Sequence, residues 1–220
     1  MAKLRLLFIK EAQASYISHL DLMRTFQRVF PRGGLELRHS NGFHPHPLIS
    51  IVLPLPVGQS SECELMDFEV EQDAVGVGIA EMLNAGLPAG LHVRECYAVE
   101  RPARELAYLR ATVELDYDRG VPADAADKLQ ALFSRDEVLV EKRTKHKELA
   151  QINVVPLIRS LEITQGENLL RIETVVCAQN PGLNPALLAQ AVERSDPELA
   201  PDFARVRRRE LYDAQMEVFR

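Results

Sequence analysis

The chain has 220 residues, of which 46% are hydrophobic and 26% are charged, and its formal net charge is −6. This length accommodates one large domain or two smaller ones, and the hydrophobic content excludes an intrinsically disordered chain. The negative charge excludes binding of nucleic acid by the whole surface but is compatible with a local basic groove.

The cysteines and the hydropathy indicate the compartment. Three cysteines lie far apart and form neither a CxxC pair nor a metal-binding spacing, which is typical of a reducing compartment. No segment reaches the length of about 18 apolar residues that a membrane-spanning helix requires, and the N-terminus lacks the pattern of a secretory signal peptide. We therefore predict a cytoplasmic protein that does not bind membranes.

The first half of the chain predicts helices that alternate with strands. Ser18 and Asp21 have the spacing of a capping box at the start of the first helix, and Pro31 followed by two glycines ends it. Residues 64–71 alternate apolar and acidic side chains, as a half-buried strand does. The predicted strands are 3–9, 35–39, 48–53, 64–71 and 91–99, and the predicted helices are 18–30 and 73–85.

The second half predicts a similar order of elements. A hairpin is indicated across Gln165 and Gly166, and Asn184 followed by Pro185 starts a helix. The predicted strands are 109–117, 137–142, 158–164, 168–178 and 206–212, and the predicted helices are 125–133 and 185–194.

The repeated order predicts an α+β fold of tandem ferredoxin-like (βαββαβ) units with antiparallel sheets. The charged segment 100–105 separates the two halves of the chain. The predicted units are therefore 1–103, which contains the sequences SHLD and GFHPHP, and 104–220, which contains basic clusters. The units share the order of their elements and no repeated sequence.

Polar side chains of the first helix are candidates for binding or catalysis. His19 lies in the first turn, where free backbone N–H groups favour an anion and the helix dipole favours a neutral imidazole. Arg24 and Arg28 lie on one helical face and can bind phosphates or carboxylates. Alternatively, Asp21 is the acidic member of a capping box and pairs with Arg24 or Arg28 on a solvated face. The sequence leaves both interpretations open.

Residues 40–58, SNGFHPHPLISIVLPLPVG, alternate histidine with proline near their start. Proline favours extended backbone in itself and in the residue before it. His44 and His46 then point to the same side and can join His19 or His39 in a three-histidine metal site. A rigid turn without metal is the alternative, because a lone HxH pair is a weak signal. The sequence therefore predicts no metal and no cofactor.

An aromatic residue and two basic clusters complete the predicted binding surface. Phe43 either stacks on a base or anchors its loop in the core. The basic segments 142–147 and 205–209 are typical of a phosphate-binding surface, or else of a solvated hairpin and a protected edge strand. The predicted binding residues are His19, Arg24, Arg28, Ser40, Phe43, His46, Arg207 and Arg209.

The sequences YISHLDLMRTFQRVF, GGLELRHSNGFHPHPLISIVLPLPVG and SSECELMDFEV resemble a bacterial radical-SAM-linked family of unknown function. Its members are encoded beside, or fused to, a radical-SAM protein. The usual GFNPHP of the family has His44 in place of Asn here, which counts against His44 as an essential ligand and favours His46. The usual RRAG is here FPRGG. The resemblance implies a partner of a radical-SAM enzyme in RNA or ribosome-related metabolism and assigns no reaction.

Two alternative functions stay open. Tandem ferredoxin-like units also form the CRISPR-repeat RNA-processing endonucleases, where an early-helix histidine can cut RNA, although this chain lacks their glycine-rich C-terminal loop. By this analogy, the chain is an RNA endonuclease or a metal-dependent hydrolase that uses His19, Asp21 and His46. In the other alternative, the chain is a protein adaptor that binds the radical-SAM protein.

The sequence favours a non-catalytic accessory module of a radical-SAM protein over an enzyme. We predict that it binds a structured RNA, tRNA or rRNA, in a groove between the first helix and the GFHPHP loop. Since the chain has no cysteine motif for an iron–sulfur cluster, the radical chemistry would belong to the partner.

Overall fold

The computed structural model describes residues 2–71, 78–143 and 149–220, which fold into two compact units. The first unit contains Met1–Glu105 together with Val218–Arg220, and the second contains Leu106–Glu217. The chain end belongs to the first unit because the Phe219 side chain is fully buried there. The guanidinium groups of Arg5 and Arg101 lie 5.1 and 5.2 Å from the centre of its ring, which is a cation–π geometry.

The first unit has the strand order of a ferredoxin-like fold. In chain order its elements are β1 (Ala2–Lys10), α1 (His19–Arg32), β2 (Ile49–Ile51), β3 (Ser60–Val70), α2 (Ile79–Asn84) and β4 (Leu91–Ala98). In the sheet, β4, β1, β3 and β2 are neighbours in that order, and each of these pairings is antiparallel. The predicted α+β class with antiparallel ferredoxin-like sheets is confirmed.

Helix α1 packs on one face of this sheet through aromatic side chains. The rings of Phe8 and Phe26 meet edge to face with centroids 5.1 Å apart, and those of Phe30 and Phe68 lie 4.7 Å apart. All four side chains are buried. Because the apolar residues of α1 form one stripe at helical spacing, the opposite side of the helix, which includes Arg28, faces solvent.

The other face of the sheet contains a buried ion pair. Arg5 on β1 is fully buried, and its Nε and Nη2 atoms donate to the two carboxylate oxygens of Asp67 on β3 at 2.6 and 3.0 Å. Tyr97 on β4 pairs with Arg5 across the strands, and its buried hydroxyl has no hydrogen-bond partner among the described residues. Burial raises the pKa of Tyr97 to about 12, although the nearby positive charges of Arg5 and Arg220 oppose the shift.

The raised pKa of Tyr97 predicts a loss of stability at high pH. A tyrosine that ionises less readily in the folded state stabilises that state below its ordinary pKa of 10.0, and this contribution is lost as the pH rises towards about 12. We expect the phenolate absorbance of the native protein to lose a titration step near pH 12 in Tyr97→Phe. Loss of a step near the ordinary pKa instead would contradict the burial of this hydroxyl.

The first unit departs from the predicted elements in two places. Residues 35–39 form no strand, and their β-pairing within the described chain is limited to the isolated bridges of Leu37 with Val70 and His39 with Pro47. Proline cannot donate to a sheet ladder, so Pro47 limits the pairing. Pro31 does not end the helix but lies in the last turn of α1. The predicted helix 73–85 is present as α2, and residues 73–77 lie outside the described residues.

The second unit also has a ferredoxin-like strand order, with a hairpin inserted. Its elements are β5 (Leu106–Asp116), α3 (Ala125–Phe133), β6 (Leu139–Arg143), β7 (Leu149–Asn153), β8 (Ile158–Gln165), β9 (Leu169–Cys177), α4 (Ala186–Ser195) and β10 (Phe203–Asp213). The strands β10, β5, β9 and β8 are neighbours in that order, whereas β6 pairs only with β7 among the described strands. The predicted strand 137–142 is therefore not part of the main sheet. Strand β8 takes the position beside β9 in the main sheet, because a short turn joins these two strands.

Candidate functional site

Ser18 caps the start of α1 and bonds to Asp21 in two ways. The Ser18 hydroxyl oxygen accepts from the backbone N–H of Asp21 at 3.1 Å and donates to its carboxylate at 2.7 Å. The guanidinium of Arg24 lies 3.3 Å from the same carboxylate. The hydrogen bond from Ser18, followed by the interaction with Arg24, lowers the pKa of Asp21. Asp21 therefore bonds to the cap residue Ser18 and pairs with Arg24, as the structural interpretation of the sequence predicts.

His19 and Arg28 are both exposed but lie far apart on this helix. Nine residues separate them, which corresponds to about 13 Å along the helix axis. Within the described part of the chain, Arg28 makes no ion pair, in contrast to Arg24. Arg28 is thus available to an external phosphate or carboxylate, as is Arg32 at the end of the helix, which is also exposed and makes no ion pair within the described residues.

Residues 40–46 form a closed loop and not a straight extended segment. The backbone N–H of Ser40 donates to the carbonyl of His46 at 2.9 Å, and the N–H of His46 donates to the Ser40 hydroxyl oxygen at 3.2 Å. The same hydroxyl lies 2.8 Å from Nδ1 of His46. Outside this closure, the N–H of Leu48 donates to the carbonyl of Arg38 at 2.7 Å. Ser40 and His46 therefore hold the loop together.

Phe43 lies at the tip of this loop with its whole side chain in solvent. Its relative exposure is 102%, the highest of the exposed large hydrophobic residues in the described chain. The interpretation of Phe43 as a buried loop anchor is therefore wrong. Since exposing an aromatic ring to water is unfavourable, a fully exposed Phe on a braced loop favours a role in contacting a partner molecule.

A cavity of about 550 Å³ lies between the C-terminal half of α1 and the base of the loop. Its lining combines apolar rings with carboxylate, amide and imidazole groups from Gln27, Pro31, Glu36, Leu37, His39, Pro47 and Glu71. Sequence reasoning missed this cavity, although Gln27 and Pro31 are four residues apart and so share one side of the helix. Residues of α1 and of the base of the loop therefore meet in the lining of one cavity.

The structure does not assemble the histidines into one centre. His19 is about 18 Å along the helix axis from Pro31, where the base of the loop lies, and no contact is described between His19 and His46. Among the described residues, no three His, Cys, Asp or Glu side chains are close enough to hold a metal ion. The three-histidine site considered from the sequence is therefore not formed in the described part of the chain.

The arginines of β10 face acidic and hydroxyl groups of the second unit. Arg205 lies 2.8 Å from Asp116 and 3.4 Å from Glu114, and Arg209 donates to the Thr112 hydroxyl at 2.8 Å. Arg207 pairs with Thr112 in the strand register. These contacts indicate a structural role for this basic cluster, while residues 144–147 of the other basic cluster lie outside the described residues.

No helix among the described residues is long and apolar enough to cross a membrane, and no curated protein matches the chain. A chain in a crystal structure of a Cbf5-Nop10-Gar1 complex is similar at 12% identity and a TM-score of 0.49, over 93% of this chain and 47% of that one. This chain therefore spans about half of that chain's length.

A second similar structure is that of an unknown protein from Galdieria sulphuraria. Its identity is 11% and its TM-score 0.28, over 97% of this chain and 98% of that one. The sequence model of a bacterial family matches residues 3–185, which is most of the chain. The chain therefore belongs to the family described as an uncharacterized protein conserved in bacteria (DUF2344).

Proposed function

We propose that this chain is a non-catalytic accessory module that binds structured RNA, tRNA or rRNA, for a radical-SAM partner. The RNA site consists of the exposed side of α1 and loop 40–46. The radical-SAM partner and the cytoplasmic location come from the sequence, through the resemblance over residues 16–70 and the hydropathy. The assignment of RNA as the ligand rests on the chemistry of the exposed surface.

The full exposure of Phe43 is the observation that carries the proposal. Aromatic side chains that stack on unpaired bases have to project from the surface, and any base offers a face for stacking. The bonds between Ser40 and His46 hold the loop closed. The loop therefore loses little conformational entropy when Phe43 stacks on a base.

Arg28 supports the same surface through its charge. It is exposed on the solvent side of α1, and it makes no ion pair within the described chain. A guanidinium in this state binds phosphate oxygens through paired N–H donors. The net charge of the chain is −6, but binding depends on the electrostatic potential at the site itself. A site formed by Phe43 and Arg28 is therefore compatible with an acidic chain.

Replacing Phe43 by alanine is expected to weaken RNA binding about tenfold or more, because stacking contributes about 1–3 kcal/mol per base. Arg28→Ala is expected to weaken binding and to reduce the dependence of affinity on salt by about one phosphate contact. Fluorescence anisotropy with labelled single-stranded and structured RNAs at several salt concentrations measures both effects. Phe203→Ala, at another exposed phenylalanine, is the matched control and is expected to bind like wild type.

The same measurements decide whether the proposal stands. Wild-type protein that does not bind RNA, or that binds it with no dependence on salt, would exclude an RNA module. Equal affinity of Phe43→Ala and Phe203→Ala would exclude Phe43 as the stacking group and with it the observation on which the proposal rests.

An adaptor function is the second candidate, and a separate apolar patch favours it. Tyr16, Leu20 and Val57 are 67%, 63% and 58% exposed. Tyr16 ends the short helical turn before α1, and Leu20 lies in the first turn of α1. The N–H of Gly58 donates to the carbonyl of Ser15 at 2.9 Å, which places Val57 near Tyr16. Exposed apolar patches mark protein interaction sites. Co-purification of the radical-SAM protein that is lost in Leu20→Ser but kept in Phe43→Ala would favour the adaptor.

A further inference from the structure

We infer that the cavity between α1 and the base of loop 40–46 binds the base of a guanine nucleotide. This inference rests on the proposed function, because it names the nucleotide that the same RNA-binding surface recognises. The cavity shares α1 and the loop with Arg28 and Phe43 but uses different side chains. Its lining determines which base fits.

The walls of the cavity are suited to a flat aromatic ring. Pro31 comes from α1, Pro47 follows the loop, and the buried Leu37 is the third apolar residue of the lining. Proline and leucine side chains offer apolar surfaces against which the face of a base can pack. The volume of about 550 Å³ is in the usual range for sites that bind small molecules and is sufficient for one nucleotide.

The polar atoms of the lining are rich in hydrogen-bond acceptors. The N–H of Glu71 donates to the carbonyl of Glu36 at 3.2 Å, so these two glutamates are neighbours. Within the described chain, no hydrogen bond or ion pair engages either carboxylate or the amide group of Gln27. Pro31 has no N–H, so the backbone carbonyl of Gln27 also lacks its usual helical donor. A ligand that presents several N–H donors therefore matches these acceptors.

Guanine is the base that satisfies such a lining. Its N1–H and N2–H₂ groups are adjacent donors on one edge, and a carboxylate accepts from both with its two oxygens. Adenine and cytosine place a ring acceptor beside their amino group, which a carboxylate repels. Uracil offers one N–H between two carbonyl oxygens. The neighbouring carboxylates of Glu36 and Glu71 therefore select guanine over the other bases.

The charges in and beside the cavity match those of a nucleotide. Arg28 precedes Pro31 by three residues and is therefore its helical neighbour, and it makes no ion pair within the described chain, whereas Arg24 already pairs with Asp21. The positive charge of Arg28 beside the cavity attracts a phosphate, while the carboxylates of Glu36 and Glu71 in the lining attract N–H donors. A ligand with donors on its inner part and negative charge on its outer part matches this arrangement, and a guanine nucleotide has both.

Short labelled uridine oligonucleotides that carry one central guanosine, adenosine or cytidine test the inference by fluorescence anisotropy. We expect wild-type protein to prefer the guanosine oligonucleotide by about tenfold or more, the usual discrimination of a bidentate contact. Glu36→Gln and Glu71→Gln each put amide donors against the base and are expected to reduce this preference to about threefold or less. Glu81→Gln, an exposed residue of α2, makes the same charge change and is expected to keep the preference.

The outcomes separate this inference from the proposed function. RNA binding without a guanosine preference, or a preference that survives in both cavity variants, overturns the guanine site and leaves the RNA module standing. Wild-type protein that binds no RNA overturns the RNA module. Titration with guanosine monophosphate then decides the cavity: binding that Glu36→Gln abolishes supports a free guanine nucleotide as the ligand, and no binding overturns the site. Binding of N-acetylarginine amide in place of guanosine monophosphate overturns it in favour of a protein side chain.

Discussion

Replacing Asp67 by alanine is expected to lower the free energy of unfolding by about 3–5 kcal/mol, because the change leaves a buried guanidinium without its counter-ion. Arg5 is fully buried, and both of its hydrogen bonds to a carboxylate, at 2.6 and 3.0 Å, go to Asp67. The Phe219 ring, 5.1 Å from the guanidinium, covers the group but offers no acceptor that replaces the carboxylate. Urea unfolding followed by circular dichroism measures the change.

Glu69→Ala is the matched control for this experiment. Glu69 lies two residues further along β3 and pairs with Arg38 at 2.9 Å, with both side chains about one third exposed. Solvent screening limits such a pair to about 0–1 kcal/mol. Combining Arg5→Met with Asp67→Leu removes both charges and is expected to restore most of the stability. If Asp67→Ala and Glu69→Ala cost the same, Arg5 is not buried with an ion-pair partner as described.

Replacing Phe26 by alanine is expected to cost about 3–5 kcal/mol of unfolding free energy, the usual cost of removing a buried aromatic ring. Phe26 is fully buried, and its ring centroid lies 5.1 Å from that of Phe8 on β1 and 6.4 Å from that of Phe30. The change therefore opens a cavity at the contact that fixes α1 on the sheet. Denaturant unfolding of the variant, with the slope checked against wild type, measures the loss.

Phe43→Ala is the natural control for Phe26→Ala, because it removes the same ring from the same unit where the ring is fully exposed. Its effect on stability is expected to be within about 0.5 kcal/mol. Phe26→Leu keeps part of the packing and is expected to lose less than alanine, which gives a folded variant to measure. A Phe26→Ala protein as stable as Phe43→Ala would contradict the packing of α1 described here.

The helices and hairpins that carry strong local signals could be predicted from the sequence. Ser18 and Asp21 predicted the start of α1, and the structure places Ser18 as its cap. The hairpin across Gln165 and Gly166 is present as β8 and β9. Caps and turns depend on residues close in sequence, so their signals survive without knowledge of the rest of the chain.

Strand partners were less predictable. The segment 137–142 has a strand pattern, but its strand β6 pairs with β7 and not within the main sheet. Residues 35–39 also have a strand pattern and form only isolated bridges. Alternation predicts that a segment is extended and half buried but does not name the strand beside it.

Some features of the candidate site could be predicted from local sequence, and others could not. Helical spacing placed Arg24 and Arg28 on one face, and the capping box explained Asp21, from residues within ten positions of one another. The exposure of Phe43 depends on the bonds between Ser40 and His46, which close the loop so that its tip points into solvent.

The cavity depends on still more distant residues. Gln27, Glu36 and Glu71 are neighbours only because α1 packs on the sheet and the segment after it pairs with the end of β3. Local interactions, which involve a few adjacent residues, determine caps, turns and amphipathic faces. Which side chains share a cavity depends on packing and pairing between segments far apart in the sequence, so only the tertiary structure decided the chemistry of this site.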